Sequence, residues 1–216
     1  MPKFKAVLFD KDGTLIDAIE KYHSAINAAL EACGFEPWSR EKFMQRLWGR
    51  KFRVNIDSVL SDVPEGRRLE VYEEYRRVLP TFENVTKIFP STIPTIEFLK
   101  SAGLKLAVVT STDRLIALEI LKKFDILRYM DAVVGGDEAE PKPSPEPILK
   151  ACNELGLQPN EVLYVGDTPV DAEAGNAAGC ATAIITTSHN AVDLSEIGGI
   201  LIIDDLSELL GIVQTE

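Results

Sequence analysis

Short apolar runs recur along the chain, and each is bounded by Gly, Asp or Thr. Five of them have the length of a strand: Ala6 to Phe9, Leu104 to Val109, Ala132 to Val134, Val162 to Val165 and Ala181 to Ile185. Runs without polar alternation are typical of strands that are buried on both faces of a parallel sheet. A sixth run, Ile200 to Ile203, precedes a predicted last helix around Leu206 to Leu210.

Helical patterns separate the later runs. They cover Thr92 to Ala102, Asp113 to Phe124 and Pro145 to Leu155, and Ser144 is the predicted N-cap of the third helix, with Pro145 as its first residue. Strands that alternate with helices predict an α/β fold with a doubly wound, Rossmann-like parallel sheet.

The interval between the first two runs breaks this rhythm. About 95 residues separate them, whereas a crossover connection needs only about a dozen. The apolar positions of two helices fall in this interval: Ile19, Tyr22, Ile26, Ala29 and Cys33, then Leu69, Tyr72, Tyr75 and Leu79. No strand pattern occurs between Ala18 and Phe89. We therefore predict a small all-helical cap at residues 17–88, inserted after the first strand of a core formed by residues 1–16 and 89–216.

Composition and charge narrow the choice of partners. The chain has 216 residues, of which 45% are apolar and 26% charged, as in an ordinary globular protein. It carries 23 basic and 34 acidic side chains, a net charge of −11. Such a charge repels phosphate backbones and anionic lipids, so we expect neither nucleic acid nor a membrane as a partner. A small anionic substrate would need local cations.

The cysteines and the N-terminal segment favour the cytoplasm. Cys33, Cys152 and Cys180 are odd in number and widely spaced, which is unlike a disulfide framework or a four-sulfur zinc site. The N-terminal segment lacks the apolar run of a secretory leader, and no run reaches the roughly 18 apolar residues of a membrane span. We expect a cytoplasmic monomer or homodimer, and the sequence does not choose between the two.

Polar residues gather where the predicted strands end. Ligands of open parallel sheets bind outside the carboxyl ends of the strands. The residues found there are Asp10, Asp12, Gly13 and Thr14, then Thr110 and Ser111, then Lys142, and finally Gly166, Asp167, Thr168 and Asp171. At an effective dielectric of about 20, two charges about 4 Å apart repel by about 4 kcal/mol, so four carboxylates need a cation beyond one lysine. Oxygen ligands, few in number, favour Mg²⁺.

Phosphoryl transfer through an aspartyl-phosphate fits this set. Asp10, fixed at a strand end, is the candidate nucleophile, and Asp12 is the candidate acid and base for the leaving alcohol and the attacking water. Gly13 lets the chain turn closely around the phosphate. Thr110 and Lys142 would hold and neutralise the phosphate oxygens.

Two further carboxylates and one hydroxyl complete the candidate set. Asp167 would bind the metal, and Asp171 would bind it or brace it. Ser111 is either a phosphate ligand or the N-cap of the next helix, whereas for Asp113 we favour the N-cap.

The residues that carry this chemistry resemble a known family. Leu8-Phe9-Asp10-Lys11-Asp12-Gly13-Thr14-Leu15, Val108-Val109-Thr110, Lys142 in Pro-Lys-Pro-Ser-Pro, and Gly166-Asp167-Thr168-Pro169-Val170-Asp171 resemble the four motifs of the haloacid dehalogenase-like hydrolase superfamily. The resemblance covers residues 5 to about 186 and is closest to the phosphoglycolate phosphatase-like branch. It implies a Mg²⁺-dependent phosphatase of a small phosphomonoester, with Asp10, the main-chain oxygen of Asp12, and Asp167 as metal ligands.

Other reactions of the same superfamily remain to be separated. Dehalogenases lack the second aspartate of the first motif and phosphonatases carry a small apolar residue there, so Asp12 disfavours both. Sugar-phosphate mutases of the β-phosphoglucomutase type keep that aspartate and remain the alternative. A signalling receiver would place its phosphoacceptor after the third strand and would have no cap.

The cap contains one cationic turn, from Leu47 to Arg53, in an otherwise acidic chain. Gly49, Arg50 and Lys51 in this turn resemble the substrate-specificity loop of the family. They would hold the far end of an anionic substrate. A solvated basic turn at a helix end explains the same residues, and both interpretations stay open at this point.

Overall fold

The computed structural model describes residues 4–186 and 197–214. Its main sheet has the predicted parallel arrangement. The strands of the described residues are β1 Ala6–Phe9, β2 Ile16–Asp17, β3 Lys87–Ile88, β4 Lys105–Val109, β5 Ala132–Val134, β6 Val162–Gly166, β7 Ala181–Ile185 and β8 Ile200–Ile203. Six of them form one parallel sheet in the order β5-β4-β1-β6-β7-β8. Each predicted run is a strand whose ends shift by at most one residue.

Helices cover both faces of this sheet, which confirms the doubly wound fold class. Their bounds are α1 Ile19–Ala32, α2 Arg40–Arg46, α3 Ile56–Val59, α4 Glu65–Val78, α5 Thr92–Ser101, α6 Arg114–Lys123, α7 Glu146–Leu155, α8 Pro169–Ala178 and α9 Leu209–Gln214. Alternate side chains of β1 pack on opposite faces of the sheet. Val7 and Phe9 belong to one hydrophobic cluster, whereas Ala6 and Leu8 belong to a second cluster with residues of α7 and α8. Within the described ranges, no helix is both long and apolar enough to cross a bilayer.

The helical segment between β2 and β3, which we call the cap, holds α1 to α4. Its two ends meet in a short antiparallel ribbon that pairs Ile16 with Ile88 and Asp17 with Lys87. The prediction that no strand lies between Ala18 and Phe89 is therefore wrong, because a two-residue strand leaves no periodic pattern in the sequence. The division at residues 17–88 stays a prediction.

Local predictions fail at two helix positions, in α4 and at the start of α7. Leu69 was predicted on the buried face of α4 but is 62% exposed. Helix α7 begins at Glu146, one residue later than predicted. Asp113 lies at the predicted N-cap position of α6, although its side chain makes no cap hydrogen bond.

Candidate active site

The predicted residues meet at one edge of the sheet. Strands β4, β1 and β6 are neighbours, so their carboxyl ends bring Thr110, Asp10 and Asp167 together. A cavity of about 320 Å³ lies between this edge and the cap, and its walls include Asp10, Asp12, Thr110 and Ser111. The topology thus places the candidate chemistry between the two parts of the chain.

A buried ion-pair cluster lies at the floor of the site. The ammonium of Lys142 donates to Asp10 Oδ1 at 2.8 Å, to Asp171 Oδ1 at 2.6 Å and to the hydroxyl of Tyr164 at 3.1 Å. The Tyr164 hydroxyl in turn donates to Asp171 Oδ1 at 2.7 Å. All three protons of the ammonium therefore have acceptors, which fixes its orientation toward Asp10. Sequence reasoning missed Tyr164, which reads as one more apolar position of β6.

The pKa values of Asp10 and Asp171 are shifted in opposite directions, although burial opposes the ionisation of both. Desolvation raises the pKa of Asp10 from 3.8 to about 6, against the opposing charge of Lys142 and with the help of the Asp171 and Asp12 charges. Burial also opposes ionisation of Asp171, but Lys142 and the hydroxyl of Thr168 outweigh it and lower the pKa of that carboxyl. The site therefore holds Asp171 as an anion more firmly than Asp10.

The carboxylates provide the donor set of a hard cation. Asp10, Asp167 and Asp171 are buried, and each offers one oxygen within 4.8 Å of the others. One ammonium does not balance three carboxylates, and an all-oxygen set suits a divalent ion such as Mg²⁺. The residues present therefore fit such an ion.

Asp171 differs from the other two carboxylates in its partners. Its Oδ1 accepts from Lys142 and Tyr164, and its Oδ2 accepts from the hydroxyl of Thr168 at 2.6 Å. Gly166 makes room for it, because a Cβ there would lie 2.3 Å from the Cβ of Asp171. The geometry favours Asp171 as the group that orients Lys142, and a direct bond to the metal stays a prediction.

Asp12 faces the cavity with three donors around its carboxylate. Lys11 Nζ lies 2.6 Å from each of its oxygens, and the hydroxyls of Tyr22 and Thr112 lie 3.2 Å from Oδ2. Lys11 is fully buried. Sequence reasoning missed all three donors. The signal available for Lys11 was a lysine between two acids at the end of a buried strand.

Gly13 and Thr110 have conformations that suit a phosphate cradle. Gly13 has φ +87°, and a Cβ on it would lie 2.1 Å from Asp167 Oδ2. Thr110 is buried, and its hydroxyl oxygen accepts from the N–H of Thr112 at 3.2 Å, so its own proton is a donor. Ser111 lies on the cavity wall. Their contacts with phosphate stay predictions.

The cationic turn of the cap is docked on the core. Trp48 Nε1 donates to Asp167 Oδ2 at 2.7 Å. Gly49 has φ +75°, and a Cβ on it would lie 2.9 Å from the side chain of Thr168. Two core groups hold Lys51, which donates to the carbonyl of Gly136 and lies 3.2 Å from Asp113 Oδ1. The turn is therefore not simply solvated.

Arg50 is placed differently from Lys51. It is exposed and borders the cavity, and its contact with a substrate stays a prediction. His23 contacts another residue of the cap, since its Nε2 lies 2.9 Å from the carbonyl oxygen of Trp38.

Known proteins resemble this chain over nearly its whole length. The model of the family described as haloacid dehalogenase-like hydrolase matches residues 7–185. A phosphoglycolate phosphatase of Aquifex aeolicus (strain VF5) is 37% identical, over 83% of this chain and 84% of its own length. A phosphoglycolate phosphatase of Escherichia coli O157:H7 is 30% identical, over 100% of this chain and 97% of its own length.

A solved structure agrees with the fold. The crystal structure of a predicted phosphoglycolate phosphatase from Haemophilus somnus 129pt superposes with a TM-score of 0.87 at 28% identity, over 99% of this chain and 100% of that chain. The matched family region contains all four motifs quoted above. The chain belongs to the haloacid dehalogenase-like hydrolase family.

Proposed function

We propose that the chain is a Mg²⁺-dependent phosphatase that hydrolyses a small phosphomonoester through an aspartyl-phosphate. The family and the relatives named phosphoglycolate phosphatase make it a phosphoric monoester hydrolase. The observation that carries the finer proposal is the buried contact of Asp10 with Lys142 beside Asp167, at the floor of a cavity. Phosphoglycolate is the first substrate to test.

Asp10 is the nucleophile of the first step. Lys142 holds its Oδ1 at 2.8 Å, which orients the carboxylate and places a positive charge where phosphate oxygens gather negative charge. A carboxylate oxygen forms a bond to phosphorus while the bond between phosphorus and the alcohol oxygen breaks. The electron pair of the broken bond stays with the alcohol oxygen.

Asp12 is the general acid of the first step and the general base of the second step. Its protonated carboxyl gives the proton to the leaving alcohol, and the resulting carboxylate takes a proton from the water that attacks the aspartyl-phosphate. As the water oxygen bonds to phosphorus, the bond between phosphorus and the Asp10 oxygen breaks and its electron pair returns to the Asp10 carboxylate. Inorganic phosphate leaves, and both aspartates return to their starting states. The donors Lys11, Tyr22 and Thr112 hold this carboxyl in the cavity during the exchange.

Asp10 and Asp167, with the main-chain oxygen of Asp12, would hold Mg²⁺. The ion, when bound, neutralises the phosphate oxygens during transfer. Asp171 would keep Lys142 in place. Thr110, Gly13 and Ser111 would cradle the phosphate, and residues 17–88 would act as the cap over the core of residues 1–16 and 89–216. We expect the enzyme to work in the cytoplasm on a small phosphorylated metabolite, as a monomer or homodimer.

The test is release of inorganic phosphate from a panel of phosphate esters, with Mg²⁺ and with EDTA. We expect turnover that needs the divalent ion, loss of turnover in Asp10→Asn, and a trapped acyl-phosphate that is absent from that variant. Full activity of Asp10→Asn would refute the nucleophile. Isomerised sugar phosphate in excess over free phosphate would identify a mutase instead.

A further inference from the structure

One cap side chain reaches a carboxylate of the core. The indole N–H of Trp48 donates to Asp167 Oδ2 at 2.7 Å, across 119 positions of sequence. Both residues are buried, and Trp48 is only 7% exposed. In a buried site, a hydrogen bond to a carboxylate is stronger than one between neutral groups, so this contact restricts where the Asp167 oxygens point.

The indole ring is fixed by packing on several sides. Tyr22 and Phe43 contact it with centroid distances of 5.9 and 5.8 Å. Its Cζ2 lies only 2.9 Å from where a Cβ on Gly13 would be. Because the ring is held, the direction of its N–H is held as well. The ring position in turn depends on the cap lying against the core.

We propose that Trp48 is a positioning residue that orients Asp167 for a divalent ion and so links metal binding to closure of the cap. The inference rests on the metal site of the proposed function. Groups that hydrogen-bond to a metal ligand typically contribute about 10- to 100-fold to metal affinity. A carboxylate can accept a hydrogen bond from the indole and also bind a metal ion, since its two oxygens together offer about four lone-pair sites.

The linkage acts in both directions. If the closed cap raises the affinity for the ion by some factor, the bound ion favours the closed cap by the same factor. An enzyme built this way completes its metal site only when the cavity is covered. An open cap takes the indole away from Asp167 and weakens the metal site.

The chain offers a matched control for this residue. It has two tryptophans, Trp38 and Trp48. Trp38 is 3% exposed, and among the described residues its indole N–H has no hydrogen-bond acceptor. The change Trp→Phe therefore removes one buried indole N–H at either position, but only Trp48→Phe removes a hydrogen bond to Asp167.

The experiment is a titration with Mg²⁺ alone, in which binding is measured by calorimetry and by tryptophan fluorescence. We expect Trp48→Phe to raise the dissociation constant about 10- to 100-fold, and Trp38→Phe to leave it within about twofold of wild type. In Trp38→Phe the only indole left is Trp48, and we expect its emission to change as Mg²⁺ binds. Circular dichroism checks that each variant is folded.

The outcomes separate this inference from the function on which it rests. Wild-type affinity in folded Trp48→Phe, or an emission of Trp48 that ignores Mg²⁺ in Trp38→Phe, would overturn the role of Trp48 while leaving the metal site intact. If wild type itself binds no Mg²⁺, the proposed metal site fails first. The fluorescence titration decides the matter even if Trp48→Phe does not fold.

Discussion

At the scale of single residues, Asp10 illustrates the cost of a buried nucleophile. Its folded pKa of about 6 lies above the ordinary 3.8, so the folded protein binds this proton more tightly than the unfolded chain. The stabilisation from this proton is complete below pH 3.8 and is lost as the pH rises through about 6. Above that pH, the ionised carboxylate costs about 3 kcal/mol while no metal ion is bound, even with Lys142 beside it.

Asp10→Asn should therefore stabilise the metal-free protein while it abolishes turnover. At pH 7.5 in EDTA, we expect its free energy of unfolding to exceed that of wild type by up to about 3 kcal/mol, and the gain to shrink toward pH 4. Urea denaturation at the two pH values measures both numbers. A variant that is less stable than wild type at pH 7.5 in EDTA would contradict the charge argument.

Lys142 represents the opposite case, because its removal leaves buried anions without a partner. Lys142→Met should lower the free energy of unfolding by about 3–5 kcal/mol and eliminate activity, since Asp10 and Asp171 both lose their ion pair. Lys5→Met is the matched control. Lys5 also pairs with a carboxylate, that of Glu161, but its side chain is 64% exposed, so the loss should stay below about 1 kcal/mol. Equal losses in the two variants would exclude this explanation.

At the scale of elements, the turn after β1 needs glycine at position 13 for its positive φ and for the lack of space beside Asp167. A pair of variants can distinguish the two requirements. Gly13 and Gly34 have similar positive φ, +87° and +79°, but a Cβ would meet Asp167 at Gly13 and nothing within 4 Å at Gly34. Gly34→Ala should cost about 1–2 kcal/mol of backbone strain and keep activity.

Gly13→Ala should cost at least as much stability and also displace Asp167, and a displacement of about 1 Å near reacting groups lowers turnover roughly 100-fold. Phosphate release and urea denaturation of both variants provide the comparison. Retained activity in Gly13→Ala would mean that Asp167 tolerates the shift.

The parallel strands were predictable because burial on both faces leaves unbroken apolar runs, as at Ala6–Phe9. The sheet edge then follows from topology, and with it the meeting of Asp10, Thr110 and Asp167. Local signals failed where packing decides the outcome. Leu69 is exposed although it has the spacing of the buried positions of α4, Tyr72 and Tyr75, so apolar spacing alone does not indicate which positions are covered.

Contacts between the cap and the core could not be predicted from the sequence, because they also depend on packing. The helix pattern of the cap shows which residues are apolar but not how the cap sits on the core. The bond from Trp48 to Asp167 and the contacts of Lys51 with Gly136 and Asp113 depend on that placement. The sequence therefore indicates the chemistry of the core and leaves the cap contacts open.

At the scale of the whole molecule, the cap and the core meet through few polar contacts around the cavity. Trp48 binds Asp167, Tyr22 binds Asp12, and Lys51 binds the Gly136 carbonyl and Asp113. Two of these contacts reach candidate catalytic carboxylates. Lys51 contacts neither of these carboxylates. Its removal should therefore affect closure of the cap more than the chemical step.

Lys51→Met should therefore raise KM for the phosphate ester, with kcat nearly unchanged. Losing the charge-assisted bond to the Gly136 carbonyl and the Asp113 pair removes roughly 1–2 kcal/mol from the closed state, which corresponds to about a 5- to 30-fold change in an equilibrium constant. Lys42→Met is the control, because Lys42 pairs with Asp62 inside the cap and spans no cap–core boundary. Steady-state kinetics of both variants, at low and high salt, decide the matter. A fall in kcat for Lys51→Met at constant KM would place Lys51 in the chemical step, whereas a KM shared with Lys42→Met would show that surface charge, and not closure, sets the affinity.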